Sequence, residues 1–219
     1  MNKVIREDIE YASSVPFIPW EKLEGKTVLV TGGTGLVGSM IVKTLLARNV
    51  RTVVSTRSIQ HAEEVFRSDD VKPEMITSLS SLDRADFIIH AASPTASAYF
   101  TSHPVEMLMH SCTSTEEKLS YAVKSRAEGF VYLSSCEVYG SPEADVFLSE
   151  KAPTTIDPMK IRSSYSEGKR FAECLTSSYA SEYSIRAMAL RLGPVMAPGK
   201  NEKDTRIRSE IIRLSLIHI

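Results

Sequence analysis

Tyr165 is followed four positions later by Lys169, and of the eight tyrosines only this one has a lysine at that offset. In a helix such spacing sets both side chains on one face, one turn apart. A free phenol ionises near pH 10, and each unit of lowering takes ~1.4 kcal/mol of preferential stabilisation of the phenolate. A neighbouring ammonium supplies stabilisation of that sign. Tyr165 is therefore expected to act as a general base near neutral pH. Chance spacing on an ordinary helix gives the same pattern, so the pair needs a setting.

Phe130–Gly140 supplies one. It reads FVYLSSCEVYG, an apolar run that delivers Ser134, Ser135, Cys136 and Glu137 at its carboxyl end. In open α/β sheets that edge is where ligands sit. Ser135 there could hold a substrate hydroxyl in line with Tyr165, and Glu137 could act as a second acid or base. Strand termination and capping for the serines, and a solvated loop charge for Glu137, are the competing readings.

Upstream, Val28–Gly38 reads VLVTGGTGLVG. Gly33, Gly35 and Gly38 fit G-x-G-x-x-G, and Gly32 with Gly35 and Gly38 fits the variant TGxxGxxG. Such glycines make a tight turn off a strand, admit a pyrophosphate to the backbone and let a helix pack closely. The free N–H groups at the helix start then face the anion. Gly32, Thr34, Gly35, Leu36 and Val37 are the expected dinucleotide contacts; a turn of purely structural use is the alternative. A bound nicotinamide cation would add to the stabilisation of a Tyr165 phenolate.

These residues need a frame, and the chain alternates in the required way. Strands are expected at about Lys26–Thr31, Arg51–Ser55, Pro73–Thr77, Phe87–Ile89, Phe130–Leu133 and Ile185–Leu192. Helices are expected at Leu36–Arg48, Ile59–Arg67, Val105–Arg126 and Tyr165–Tyr183, the last with Phe171, Cys174, Leu175 and Tyr179 on one stripe. The alternation predicts an α/β fold, a Rossmann-type doubly wound parallel sheet with right-handed crossovers. The domains expected are an N-terminal extension over 1–25, a cofactor-binding domain over 26–198, and the start of a substrate lobe over 199–219. In the extension the prolines of VPFIPW favour extended chain, with its aromatics lying over the domain surface. Arg206–Ile219 reads as a short C-terminal helix or, in LSLIHI, as sequence foreign to the domain.

With 219 residues, 42% of them hydrophobic, the chain can bury one sizeable core. The net charge of −1, without a basic block, argues against nucleic acid and against an electrostatically held membrane surface. The three cysteines (Cys112, Cys136, Cys174) form no CxxC, which argues for a reducing compartment without structural metal. Met1–Gly25 has no apolar core of the signal-peptide kind, and no run nears the ~18 apolar residues of a membrane helix. A soluble, cytoplasmic protein is expected.

TGGTGLVG, HAAS, LSSCEVYG and YSEGK, in that order, resemble the extended short-chain dehydrogenase/reductase family of nucleotide-sugar enzymes. The resemblance covers about Lys26–Pro198. It implies a tightly held nicotinamide cofactor and a C-terminal lobe that grips a nucleotide sugar, most of which this chain would lack. It also makes Tyr165 the base, Lys169 its partner and ribose ligand, and Ser135 the third member of the triad. Ala91 and Ala92 would line the cofactor groove, and the two longest helices would pair in a homodimer. RSSYSEGKR and SPTASAYFTSHPVE are most similar to UDP-glucuronate decarboxylases. In those, oxidation at C4 turns the sugar acid into a β-keto acid, which loses CO2 before the hydride returns. A 4-epimerase stays open, and a cofactor-binding protein without turnover is the alternative of another class. The related 4,6-dehydratases carry an Asp–Glu pair where this chain has Cys136 and Glu137, and a thiol is a poor acid for expelling a hydroxyl. No acidic residue follows the glycines by ~20 positions to hold the adenosine ribose. Arg57 stands there instead, either a 2′-phosphate ligand that would favour NADP or a solvated arginine. An internally recycled hydride favours NAD. The asparagine usual on the family's fourth helix is Ser111 here.

Overall fold

Val28, Leu29 and Val30 are buried on both sides of a strand, so helices must cover both faces of the sheet that holds it. The computed structural model, which describes residues 1–67, 69, 71–142 and 147–195, has that layout. In chain order come α1 (Lys3–Ser14), β1 (Thr27–Thr31), α2 (Leu36–Ala47), β2 (Arg51–Ser55), α3 (Ile59–Arg67) and β3 (Glu74–Ile76). There follow β4 (Phe87–His90), α4 (Ser97–Ser102), α5 (Pro104–Lys124), β5 (Gly129–Ser135), α6 (Ser164–Glu182) and β6 (Ala187–Leu192). All strand pairs are parallel, in the order β3-β2-β1-β4-β5-β6. That is the doubly wound arrangement of a Rossmann fold.

Residue alternation sorts the core into two layers. Val28, Val30 and Val54 pack with Val42 and Leu45 of α2 and Phe66 of α3. Leu29, Val53, Ile88, Phe130 and Tyr132 pack on the other face with Leu119 and Ala122 of α5 and Ala172 of α6. Asn49 ends the α2 segment at φ 55°, a left-handed conformation that asparagine tolerates. On β6, Ala187 and Ala189 join the core while Met188 and Leu190 stand exposed on the opposite face. Among the described residues no helix is long and apolar enough to cross a membrane.

A helix near the N-terminus lies outside the expected elements, and one expected packing needs correction. Residues Lys3–Ser14, for which no element was expected, form a helix. Asn2 caps it, accepting from the Val4 N–H at 2.9 Å, and Ile5 and Ile9 are buried one turn apart, with the helix packed on α2. Two apolar residues in a charged stretch suffice because only one stripe needs covering. Trp20 packs beneath the Arg48 guanidinium, but Phe17 is 85% exposed and covers nothing. In α6 the buried stripe runs through Tyr165, Gly168, Lys169, Ala172 and Thr176. Phe171 and Cys174 face outward, because the small and polar side of this helix meets α5 and β5. The expected boundary at 198 and the segment Arg206–Ile219 lie outside the described residues.

Ile9→Ala should cost about 2 kcal/mol of stability, the low end for emptying a buried aliphatic site. Urea unfolding would read the loss, and amide exchange should quicken selectively in Lys3–Ser14. Unchanged exchange there would contradict a docked α1.

Candidate active site

Thr31 of β1 is level with His90 of β4, and His90 with Tyr132 of β5. The chain therefore leaves three neighbouring strands at one edge. The glycine turn follows Thr31, Ala91 and Ala92 follow His90, and Ser134–Glu137 follows Leu133. Strand order reverses between β1 and β4, and a crevice opens there because successive connections diverge to opposite faces.

Tight packing shapes the near side of that crevice. Gly32 has φ 67°, and a Cβ on it would lie 2.7 Å from the Ala91 carbonyl carbon and the Ala92 nitrogen. A Cβ on Gly38 would lie 2.2 Å from the Gly32 carbonyl oxygen. The fold itself thus requires glycine at these two places. Gly35 differs: a Cβ there meets only the Gly32 oxygen, at 3.3 Å. It is exposed directly ahead of α2, whose start no side chain caps. The half-buried Thr34, Leu36 and Val37 flank it. An open backbone surface at an uncapped helix N-terminus fits a dinucleotide pyrophosphate. Arg57 is exposed beyond the end of β2.

His90 braces this junction from below. Its Nδ1 lies 2.6 Å from Thr31 Oγ1 and its Nε2 lies 3.4 Å from Thr115 Oγ1. Thr31 Oγ1 also accepts from the Ala92 N–H at 3.3 Å. Burial, reinforced by the charges of Lys118, Lys169 and His110, lowers the imidazole pKa to about 3. The ring is neutral at every ordinary pH.

On the far side, α6 sits against the end of β5. Lys169 Nζ donates to the Leu133 carbonyl at 2.7 Å, and Ser134 Oγ donates to Glu173 at 2.6 Å. The Tyr165 ring stacks on Phe100, with centroids 4.3 Å apart and planes 12° from parallel. Ser164 Oγ fixes that stack by donating to the Phe100 carbonyl at 3.0 Å. Arg162 lies 4.8 Å from the Phe100 ring and pairs with Glu137 at 2.9 Å. Ser135, Glu137, Tyr165 and Lys169 are thus brought together.

The electrostatics differ from the sequence expectation. Burial raises the Tyr165 pKa and outweighs the hydrogen-bonding Ser135, which lowers it; Glu137 and Cys136 raise it further, while Arg162 opposes them. Lys169 Nζ lies 5.8 Å from the Tyr165 ring centroid and donates to the Leu133 carbonyl, and burial outweighs any help it gives the phenolate here. The lysine's own pKa is lowered to about 8 by burial, against the pull of Glu173. Ser111 turns its hydroxyl to the Met107 carbonyl at 3.0 Å. It abuts Gly168, where a Cβ would lie 2.7 Å from the serine oxygen, so a small residue is needed at this helix crossing.

Sequence reasoning missed four contributors. Glu173 extends the stripe of Tyr165 and Lys169 by one turn, and Arg162 is a charge just before Tyr165; both signals were readable. His90 lay in the HAAS motif but had no partner in view. Phe100 gave no local signal, since only the fold brings it to Tyr165.

A model of the NAD dependent epimerase/dehydratase family matches residues 28–216. The chain belongs to this family. It is 29% identical over 207 residues to UDP-glucuronic acid decarboxylase 2 of Arabidopsis thaliana, covering 89% of this chain and 44% of that protein. It is 29% identical over 203 residues to UDP-glucuronic acid decarboxylase 1 of Xenopus tropicalis, with coverage of 87% and 46%. The chain thus spans about half the length of the curated relatives it matches. Among solved structures it resembles a UDP-N-acetylglucosamine 4-epimerase from Methanobrevibacter ruminantium M1. The TM-score is 0.75 at 20% identity, over 88% of this chain and 63% of the other, a likeness of fold.

Gly35→Val should leave the fold intact yet lower NAD affinity at least about tenfold, because its branches fill the space left for phosphates. Gly38→Ala should instead lower the melting temperature. Equal thermal damage from both, or undiminished NAD binding by Gly35→Val, would remove the pyrophosphate from this turn. A second outcome concerns acid. The unfolded chain binds a proton at His90 below its ordinary pKa of 6.5, whereas the folded chain resists down to about 3. The stability this residue contributes above pH 6.5 is therefore lost as pH falls through that window. His90→Gln should flatten the slope of stability against pH there; an unaltered slope would show that His90 is not held neutral.

Proposed function

We propose that this chain is the cofactor-binding part of a nucleotide-sugar enzyme that oxidises the sugar at C4 and returns the hydride, acting as a UDP-glucuronate decarboxylase. What supports the reading is that Tyr165, Lys169, Ser135 and Glu137 converge at the sheet edge that also carries the glycine turn. The decarboxylase relatives, at 29% identity, support the substrate class.

NAD would be held by the turn at Gly32, Thr34 and Gly35, by the Leu36 and Val37 N–H groups, by Ala91 and Ala92, and by Lys169. Bound there, it would accept the hydrogen leaving C4 and later give it back. Tyr165 Oη removes the proton of the C4 hydroxyl, which Ser135 Oγ orients, and returns it after reduction. Burial holds the phenol up, so positive charge beside it, from Lys169, Arg162 and the bound nicotinamide together, is what would favour the phenolate. Glu137 is the second acid–base group, held ready by Arg162. Cys136 replaces the acid that dehydration needs, which favours decarboxylation over loss of water. Arg57 leaves NADP as the competing cofactor. Val105 and Met109 on α5 and Phe171 on α6 are 71%, 55% and 47% exposed, which supports a homodimer through these helices. The free cysteines support a cytoplasmic setting.

Incubation with UDP-glucuronate and NAD, using the protein extended to the length of its relatives, should yield a product lighter by CO2. An unchanged mass with inverted C4 would establish the epimerase instead, and loss of water from UDP-glucose a dehydratase. Tyr165→Phe should cut turnover by about 10³-fold while NAD affinity stays within a few-fold. A parallel loss of binding would make the tyrosine structural. Mass spectrometry of the purified protein should find retained NAD rather than NADP.

A further inference from the structure

Tyr165, Lys169 and Glu173 occupy successive turns on one face of α6. Each meets a different one of three consecutive residues at the end of β5: Tyr165 meets Ser135, Lys169 meets Leu133, and Glu173 meets Ser134. Glu173 makes the widest set of bonds. Its Oε1 accepts from Ser134 Oγ at 2.6 Å and from Arg191 Nε at 2.9 Å, and its Oε2 accepts from Arg191 Nη2 at 2.7 Å. Ser134 and Arg191 are register partners on β5 and β6, so one carboxylate ties the helix to two strands. The side chain is only 14% exposed. Arg191 is fixed in turn, donating to the Glu150 carbonyl at 2.9 Å and lying 4.8 Å from the Tyr139 ring.

The charges around Lys169 are unevenly distributed. From α6 it is faced by Tyr165 and Glu173, and from β5 by Tyr132, whose ring centroid is 4.7 Å from Nζ. His90 of β4 and His110 of α5 both feel its charge, Lys118 of α5 acts on the same two histidines, and Arg191 of β6 caps Glu173. Of these groups only Glu173 is negative.

We propose that Glu173 is a positioning residue for the Tyr165–Lys169 pair, anchoring α6 to the ends of β5 and β6 and keeping Lys169 an ammonium ion. The functional importance of this role rests on the reading of that pair as the proton-transfer machinery. Burial already takes Lys169 down to about 8, and Glu173 is what resists. Without the carboxylate the lysine would give up its proton at lower pH. A neutral amine beside Tyr165 could not favour a phenolate.

The test is an NMR titration of the Lys169 side chain in the whole 219-residue chain, its signal identified by its loss in Lys169→Arg. Glu173→Gln, which keeps the size but not the charge, should lower that pKa by about one unit or more. Glu173→Asp should restore it to near the wild-type value, and Ser134→Ala, which removes a tether but no charge, should leave it in place. A pKa unmoved by Glu173→Gln, or moved equally by Glu173→Asp, overturns the proposal. Neither substrate nor turnover enters the measurement, so it fails separately from the decarboxylase reading, which stands or falls on product mass. In the extended enzyme the alkaline limb of the rate should move to lower pH in Glu173→Gln. A uniform loss of rate at every pH would mark a merely structural residue.

Discussion

The seating of α6 against the end of β5 is the constraint on which the site depends. Burying an ammonium is unfavourable unless it finds a partner, and Lys169 finds the Leu133 carbonyl at 2.7 Å. That bond and the Ser134–Glu173 bond next to it fix both the height and the rotation of the helix. Tyr165, one turn earlier, is then set beside Ser135 and stacked on Phe100 with little freedom. A shift of α6 by one residue would rotate all three side chains off the strand at once.

The glycine turn is held by an equivalent logic on the other side of the crevice. Gly32 and Gly38 are pinned by backbone approaches that no larger residue could share. Beneath them the neutral His90 bridges Thr31 and Thr115, and Thr31 holds the Ala92 N–H. β1, β4 and β5 are paired in register, so these two rigid halves share one edge. The open part between them is Gly35 and the uncapped start of α2, the portion of the turn that the protein's own packing leaves free.

Most of the sheet was legible because buried parallel strands read as compact apolar runs, and Val28–Val30 and Phe130–Leu133 are of that kind. The tyrosine, lysine, serine and glycine positions were legible through their spacing. Lys3–Ser14 was not, because only Ile5 and Ile9 are buried and the charges around them conceal the stripe. The stripe of Phe171, Cys174, Leu175 and Tyr179 does not say which side of α6 is buried, because that side is small and polar. The direction of the Tyr165 shift was likewise hidden: sequence spacing reveals a neighbouring charge but not how deeply a ring is buried. Phe100 and Arg162 shape the phenol's surroundings through contacts that arise only on folding.

The most direct test of this arrangement is a crystal structure of the chain with NAD bound. The account predicts the pyrophosphate against the Leu36 and Val37 N–H groups, with the nicotinamide ring beside the Tyr165 hydroxyl and Lys169 reaching the adjoining ribose. A dinucleotide bound with its nicotinamide directed away from α6, or seated anywhere but the crevice between β1 and β4, would contradict it.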